Sequence, residues 1–160
     1  MKKHWHIWVG IAIVLLAVAL VLGIIFIPRA AAKSDMKALL LHAAAADAQY
    51  VMLVDPAYKH PGILAGEGRE IALAGDILTS TQDALTALAD GFSYEKKMDA
   101  SSGAFGMYLL VKTADGEIVK INLAKDAFYA ELKGSVYYFT AKDTQAYTAL
   151  YNALLAALPV

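Results

Sequence analysis

His60 stands in a stretch that also holds Asp55, Glu67, Arg69 and Glu70. Residues of these types do two kinds of chemistry. An imidazole with carboxylates binds a divalent metal, and a histidine paired with a carboxylate and an arginine supports hydrolysis by general base and anion stabilisation. The spacing argues against a dedicated metal centre. No two histidines stand four apart, His42 lies on a separate Ala-rich segment, and the chain has no cysteine. Thiolate ligands, disulfides and thiolate catalysis are thereby excluded, and no cofactor is implied. His60 precedes Pro61, a setting that reads as a solvated turn.

Other routes to catalysis lack their context. Ser80 falls in a helical pattern, Ser101 and Ser102 in a polar loop and Ser135 in a tight turn, none of them flanked as a nucleophile elbow requires. The run Gly66-Glu67-Gly68 has neither the further glycine nor the Lys-Ser/Thr that cradle a phosphate. Paired carboxylates for glycoside hydrolysis need an enclosing cleft, for which a domain of this size has little room.

The same residues make better sense in recognition. Residues 55–68 hold the densest turn chemistry in the chain (Asp55-Pro56, His60-Pro61-Gly62, Gly66 and Gly68), and a long loop of this kind is often functional. Tyr58, Lys59 and His60, with Arg69 just beyond, are the candidate binding residues there. A second candidate is the cluster Phe128, Tyr129, Tyr137, Tyr138 and Phe139. Successive strand residues face opposite sides, so one set of rings points away from the core unless something covers it. Tyr137 and Phe139 share a side and are the expected contact residues for a protein or envelope partner.

The elements that must position these residues follow from periodicity. A helix is expected from Met36 to about Asp47, a strand at Tyr50–Val54, a short strand at Arg69–Leu73 and a helix at Asp76–Asp90 closed by Gly91 in the left-handed conformation. Phe92–Met98, Phe105–Thr113, Glu117–Leu123, Phe128–Leu132 and Val136–Phe139 read as an antiparallel meander. Asp115-Gly116 marks one hairpin turn and Lys133-Gly134-Ser135 another. In the expected pairing Tyr108 and Leu110 share a face with Val119, Ile121 and Leu123. A capping-box-like start, Thr140 with Asp143, opens a last amphipathic helix carrying Tyr147, Leu150, Tyr151, Leu154, Leu155 and Leu158.

Ahead of all this, Ile7 to Ile27 is a run of 21 residues without a charge, 15 of them Ile, Leu, Val or Phe. As a helix it spans about 31 Å, close to the ~30 Å hydrocarbon core of a bilayer. Trp5 and Trp8 suit an interfacial belt, and Pro28-Arg29 close the run. Ala30-Ala31-Ala32 resembles a signal-peptide cleavage site, but the run exceeds a signal-peptide core in length and Arg29 intervenes, so an uncleaved signal-anchor is expected. Ala19 and Gly23 form one small-xxx-small pair, through which two such helices can approach to make a homo-oligomer. Lys2 and Lys3 precede the run, whereas Arg29, Lys33 and Lys37 follow it. The count is nearly balanced, and the short basic start places the domain on the extracytoplasmic side of a cell membrane.

From Arg29 onward there are 12 Lys or Arg and 15 Asp or Glu, a formal net charge of 12 − 15 = −3. That is no footprint for nucleic acid, and no polybasic patch for acidic lipid is expected. The reading is an α+β chain. Residues 1–28 hold a basic start and a transmembrane helix, 29–35 a juxtamembrane joint, and 36–160 one domain, a small antiparallel sheet packed by two or three helices. The expected role is a single-pass, non-enzymatic binding or sensor module; the alternative is a small membrane-tethered hydrolase built on the His60 stretch.

Overall fold

The computed structural model describes residues 5–54, 69–98, 106–112, 116 and 118–158. Its first element, α1 (Trp5–Ala45), is one continuous helix. The expected joint at 29–35 is therefore helical, and the anchor and the first helix of the domain are the same element. Pro28 lies inside α1 and withdraws one N–H from the ladder, at a cost of roughly 3 kcal/mol. Two features offset it. The segment beyond is rich in Ala and Leu, the strongest helix formers. Its Ala32, Met36, Leu40 and Ala43, spaced by four, four and three, form a stripe buried in the core. None of the side chains between Trp8 and Ile27 is buried, and this half of α1 is long and apolar enough to cross a membrane.

The chain then forms β1 (Ala48–Val54), β2 (Arg69–Ala72), α2 (Gly75–Asp90), β3 (Phe92–Met98), β4 (Gly106–Lys112), β5 (Ile118–Leu123), β6 (Phe128–Leu132), β7 (Ser135–Ala141) and α3 (Thr144–Ala157). The fold is α+β. The strands make one seven-stranded sheet in the order β2-β1-β4-β5-β6-β7-β3, with every neighbouring pair antiparallel. β4 to β7 are the expected meander. All three helices pack on one face of it, where Val51, Leu109, Val111, Ile121, Leu123, Phe128 and Phe139 meet the stripes of α1, α2 and α3 in a single core.

Side-chain amides finish the carboxyl end of α1. Buried Gln49 donates through Nε2 to the carbonyls of Ala43 and Ala46, and Gln82 on α2 donates to Ala46 as well. These bonds satisfy carbonyls that a helix end leaves open. At the other end of the sheet, Tyr147 of α3 holds the β5–β6 turn, its hydroxyl 2.8 Å from the carbonyl oxygens of both Ala124 and Ala127.

Three local readings are corrected. Gly91 has φ −132°, not a left-handed value, because its carbonyl accepts from Lys142 N–H and the chain passes straight into β3. Asp143 is itself the N-cap of α3, accepting from Ala146 N–H at 2.9 Å, while Thr140 belongs to β7. Lys112 pairs with Ile118, so the β4–β5 connection holds an odd number of residues, 113–117. Leu109 and Val111 therefore share the core face with Ile121 and Val119, and Tyr108 and Leu110 lie on the opposite face. A one-residue difference in register exchanges every side chain between faces.

Candidate functional site

The sheet face opposite the described helices is built by alternate residues of β3 to β7. Tyr108 pairs with Asn122, Asn122 with Tyr129, Tyr129 with Tyr138, and Tyr138 with Lys96, so these residues form one row across five strands. The turn between β6 and β7 sets this row. Lys133 and Gly134 both take positive φ, 52° and 75°, as a two-residue type I′ turn requires. With a two-residue turn, Tyr129 falls opposite Tyr138.

Three phenols meet in that row. The rings of Tyr129 and Tyr138 stack with centroids 4.7 Å apart. Tyr108 and Tyr129 are hydrogen-bonded through their side chains. Burial pushes the Tyr129 phenol well above its ordinary titration range, with the neighbouring Tyr108 and Tyr138 adding to the shift. Tyr138 is also raised, first by burial and then by Tyr108. The raised Tyr129 and Tyr138 phenols keep their protons near pH 7 and present hydroxyls as donors and acceptors. Lys120 places Nζ 3.8 Å from the Tyr108 ring centroid and Lys96 places Nζ 5.6 Å from that of Tyr138, both within cation–π range.

Beside this row the sheet opens. Pairing between β5 and β6 is confined to Asn122–Tyr129 and Leu123–Phe128, although β5 continues to Ile118 and β6 to Leu132. The parted strands leave a cleft of about 530 Å³. Val119, Lys120 and Asn122 line it from β5, Tyr129, Glu131 and Leu132 from β6, and Leu39 from α1. Its size falls within the range of ligand sites. Ile118 stands at its mouth with 64% of its surface exposed. Continuing the register would set Lys120 against Glu131 (122 + 129 = 120 + 131), yet among the described residues no ion pair joins them. The walls thus carry apolar surface, two cations (Lys120, and Lys133 paired with Asp35), one carboxylate and a phenol.

The residues expected from sequence are distributed differently. Tyr58, Lys59 and His60 lie outside the described residues, as do Asp55 and Glu67. Arg69 and Glu70 are backbone positions of β2, paired with Leu53 and Met52. Phe139 is corrected from a contact residue to a core residue: it is fully buried and packs against Phe92 and Phe128. Tyr137 shares its face and is half-buried, 6.2 Å from the Tyr94 ring. Ala19 and Gly23 lie four apart in the apolar half of α1. His42 and Ser80 are exposed on α1 and α2. Among the described residues no group of three or more His, Asp or Glu is placed to hold a metal. Tyr108, Lys96 and Lys120 escaped the sequence reading, and Tyr129 and Tyr138 belong to the expected aromatic cluster but not as its contact residues. Strict period-2 counting outward from a two-residue Lys133-Gly134 turn is the signal that pairs these two.

Comparison with protein-family models, with curated proteins and with solved structures returns no match.

Proposed function

We propose that this chain is a single-pass, membrane-anchored, non-enzymatic binding module whose β5–β6 cleft receives an extended segment of a partner protein on the extracytoplasmic side. The observation that carries this reading is the parting of β5 and β6 over a lined cleft in the middle of a sheet. Parted strands present ladder positions that an added strand can occupy, while flanking pockets select alternate side chains. Apolar Val119 and Leu132 suit one set of peptide side chains, and Ile118, Lys120, Glu131 and the Tyr129 phenol suit the other.

The anchor reading draws support from α1. Cleavage after Ala32 would cut within a helical turn and take Ala32 itself out of the core. The outward orientation draws on Lys2 and Lys3 ahead of the apolar run.

Chemical cross-linking in intact membranes, followed by recovery of the chain, tests the site. Val136→Trp, which fills the cleft, should reduce recovery of the partner at least several-fold. Alanine at Tyr58, Lys59 and His60 should leave recovery unchanged. Dependence on those three residues and indifference to Val136→Trp would move the site to the 55–68 segment. A reporter active only after export, fused after Val160, tests the orientation; an inactive fusion would reverse it.

A further inference from the structure

The fold gathers cations that the sequence keeps far apart. Arg29 lies over the ring of Tyr94 and Lys33 over that of Phe92, each 5.6 Å from the centroid, and Lys37 pairs with Asp90 at 2.8 Å. As α1 rises from its apolar half, its partners run backwards along the chain: 94, then 92, then 90. α1 meets β3 at Arg29 and Lys33 and reaches the β5–β6 cleft at Leu39, so it crosses the strands, and its apolar half leaves the sheet beside the edge strand β3. Lys96 and Lys97 follow Tyr94 on that edge strand, and both are exposed.

Helix rise fixes the height of this rim. Arg29 stands about 3 Å and Lys33 about 9 Å beyond Ile27 along α1. The headgroup layer is roughly 5 to 7 Å thick on each side of the hydrocarbon. Side chains on a helix lean toward its amino end, so the long stems of Arg29 and Lys33 lean back toward lipid. The described carboxylates nearby are engaged: Asp90 by Lys37, Asp35 by Lys133, and Glu95 by the Thr140 hydroxyl. A groove of about 430 Å³ lined by Ala30, Lys33, Ser34 and Phe92, among others, opens between α1 and the start of β3.

We infer that Arg29, Lys33, Lys96 and Lys97 form a basic rim that binds the anionic phospholipid headgroups of the leaflet beside which α1 emerges. The inference rests on α1 crossing the bilayer, the anchor part of the proposed function, and is independent of the cleft. Its consequence is a fixed attitude of the sheet to the membrane, held at two points, the helix and the β3 edge.

Lysine acylation read residue by residue by mass spectrometry tests it, on the full chain in nanodiscs of phosphatidylcholine alone or with phosphatidylglycerol as roughly a third of the lipid. The anionic lipid should lower acylation of Lys33, Lys96 and Lys97 at least about three-fold. Lys112 and Lys125, exposed elsewhere, should not change, and high salt should restore labelling. Lys97→Glu should weaken the protection of Lys33 and Lys96. Equal labelling in the two discs would overturn the inference. So would equal protection by inorganic phosphate added to the phosphatidylcholine discs, which would make the rim a general anion site. Failure of the chain to co-elute with discs would instead refute the anchor, and it is read before any labelling.

Discussion

Tyr129 and Tyr138 stack across the β6–β7 pair with ring centroids 4.7 Å apart and planes 12° from parallel, on the sheet face opposite the described helices. Aromatic pairs directly opposite one another in a sheet contribute up to about 1 kcal/mol beyond alanine, and here one member, Tyr129, also lines the cleft. The stack fixes the position of the Tyr129 phenol in the cleft wall, so these two residues both stabilise the sheet and shape the cleft.

The raised phenols predict an alkaline limit to stability. Tyr129, Tyr138 and Tyr147 keep their protons in the folded chain at a pH where the unfolded chain has begun to lose them, near the ordinary value of 10. Their contribution is fully present below about pH 10 and falls as pH rises above it, because the unfolded state then binds fewer protons. Denaturant midpoints measured from about pH 9 to 12 should decline, and Tyr129→Phe should make the decline shallower. A flat profile would contradict the burial assigned to these phenols.

Tyr147→Phe should destabilise the domain by about 1 to 3 kcal/mol, because the carbonyls of Ala124 and Ala127 lose the hydroxyl that approaches both. Hydrogen exchange should rise most in the β5–β6 turn. A uniform rise across the sheet would mean that the hydroxyl does not specifically hold that turn.

Because α1 carries both the apolar run and part of the core, the domain cannot be cut away at the end of the helix. Met36→Ala should cost about 2 to 5 kcal/mol, as for other buried large-to-small changes. A fragment beginning at Ala48 lacks Ala32, Met36, Leu40 and Ala43 and should not fold, whereas one beginning at Arg29 should give dispersed amide spectra. Cooperative unfolding of the shorter fragment would contradict the shared helix.

How much of this was legible in sequence depended on parity. The α+β class, the meander, α2 and the stripe of α3 followed from periodicity, since Leu150 and Leu154 repeat at helical spacing and strands such as Phe92–Met98 are bounded by turn residues. The open face did not follow. Reading the β6–β7 turn as Lys133-Gly134-Ser135, not as Lys133-Gly134, shifts register by one and hides the Tyr129–Tyr138 pair. The odd connection between Lys112 and Ile118 did the same to Tyr108. Pro28 reads locally as a stop, yet the burial of Met36 and Leu40 carries the helix through it. The parting of β5 from β6 has no local signature in the residues of either strand.

Site-specific photo-cross-linking from the cleft mouth tests the central claim most directly. A photoreactive residue placed at Ile118, irradiated in intact membranes, should yield one discrete product whose linkage maps to a single extended segment of another protein. The same residue at Thr148, exposed on α3, should yield none. Absence of a product from position 118, or the same product from both positions, would contradict a partner strand in the cleft.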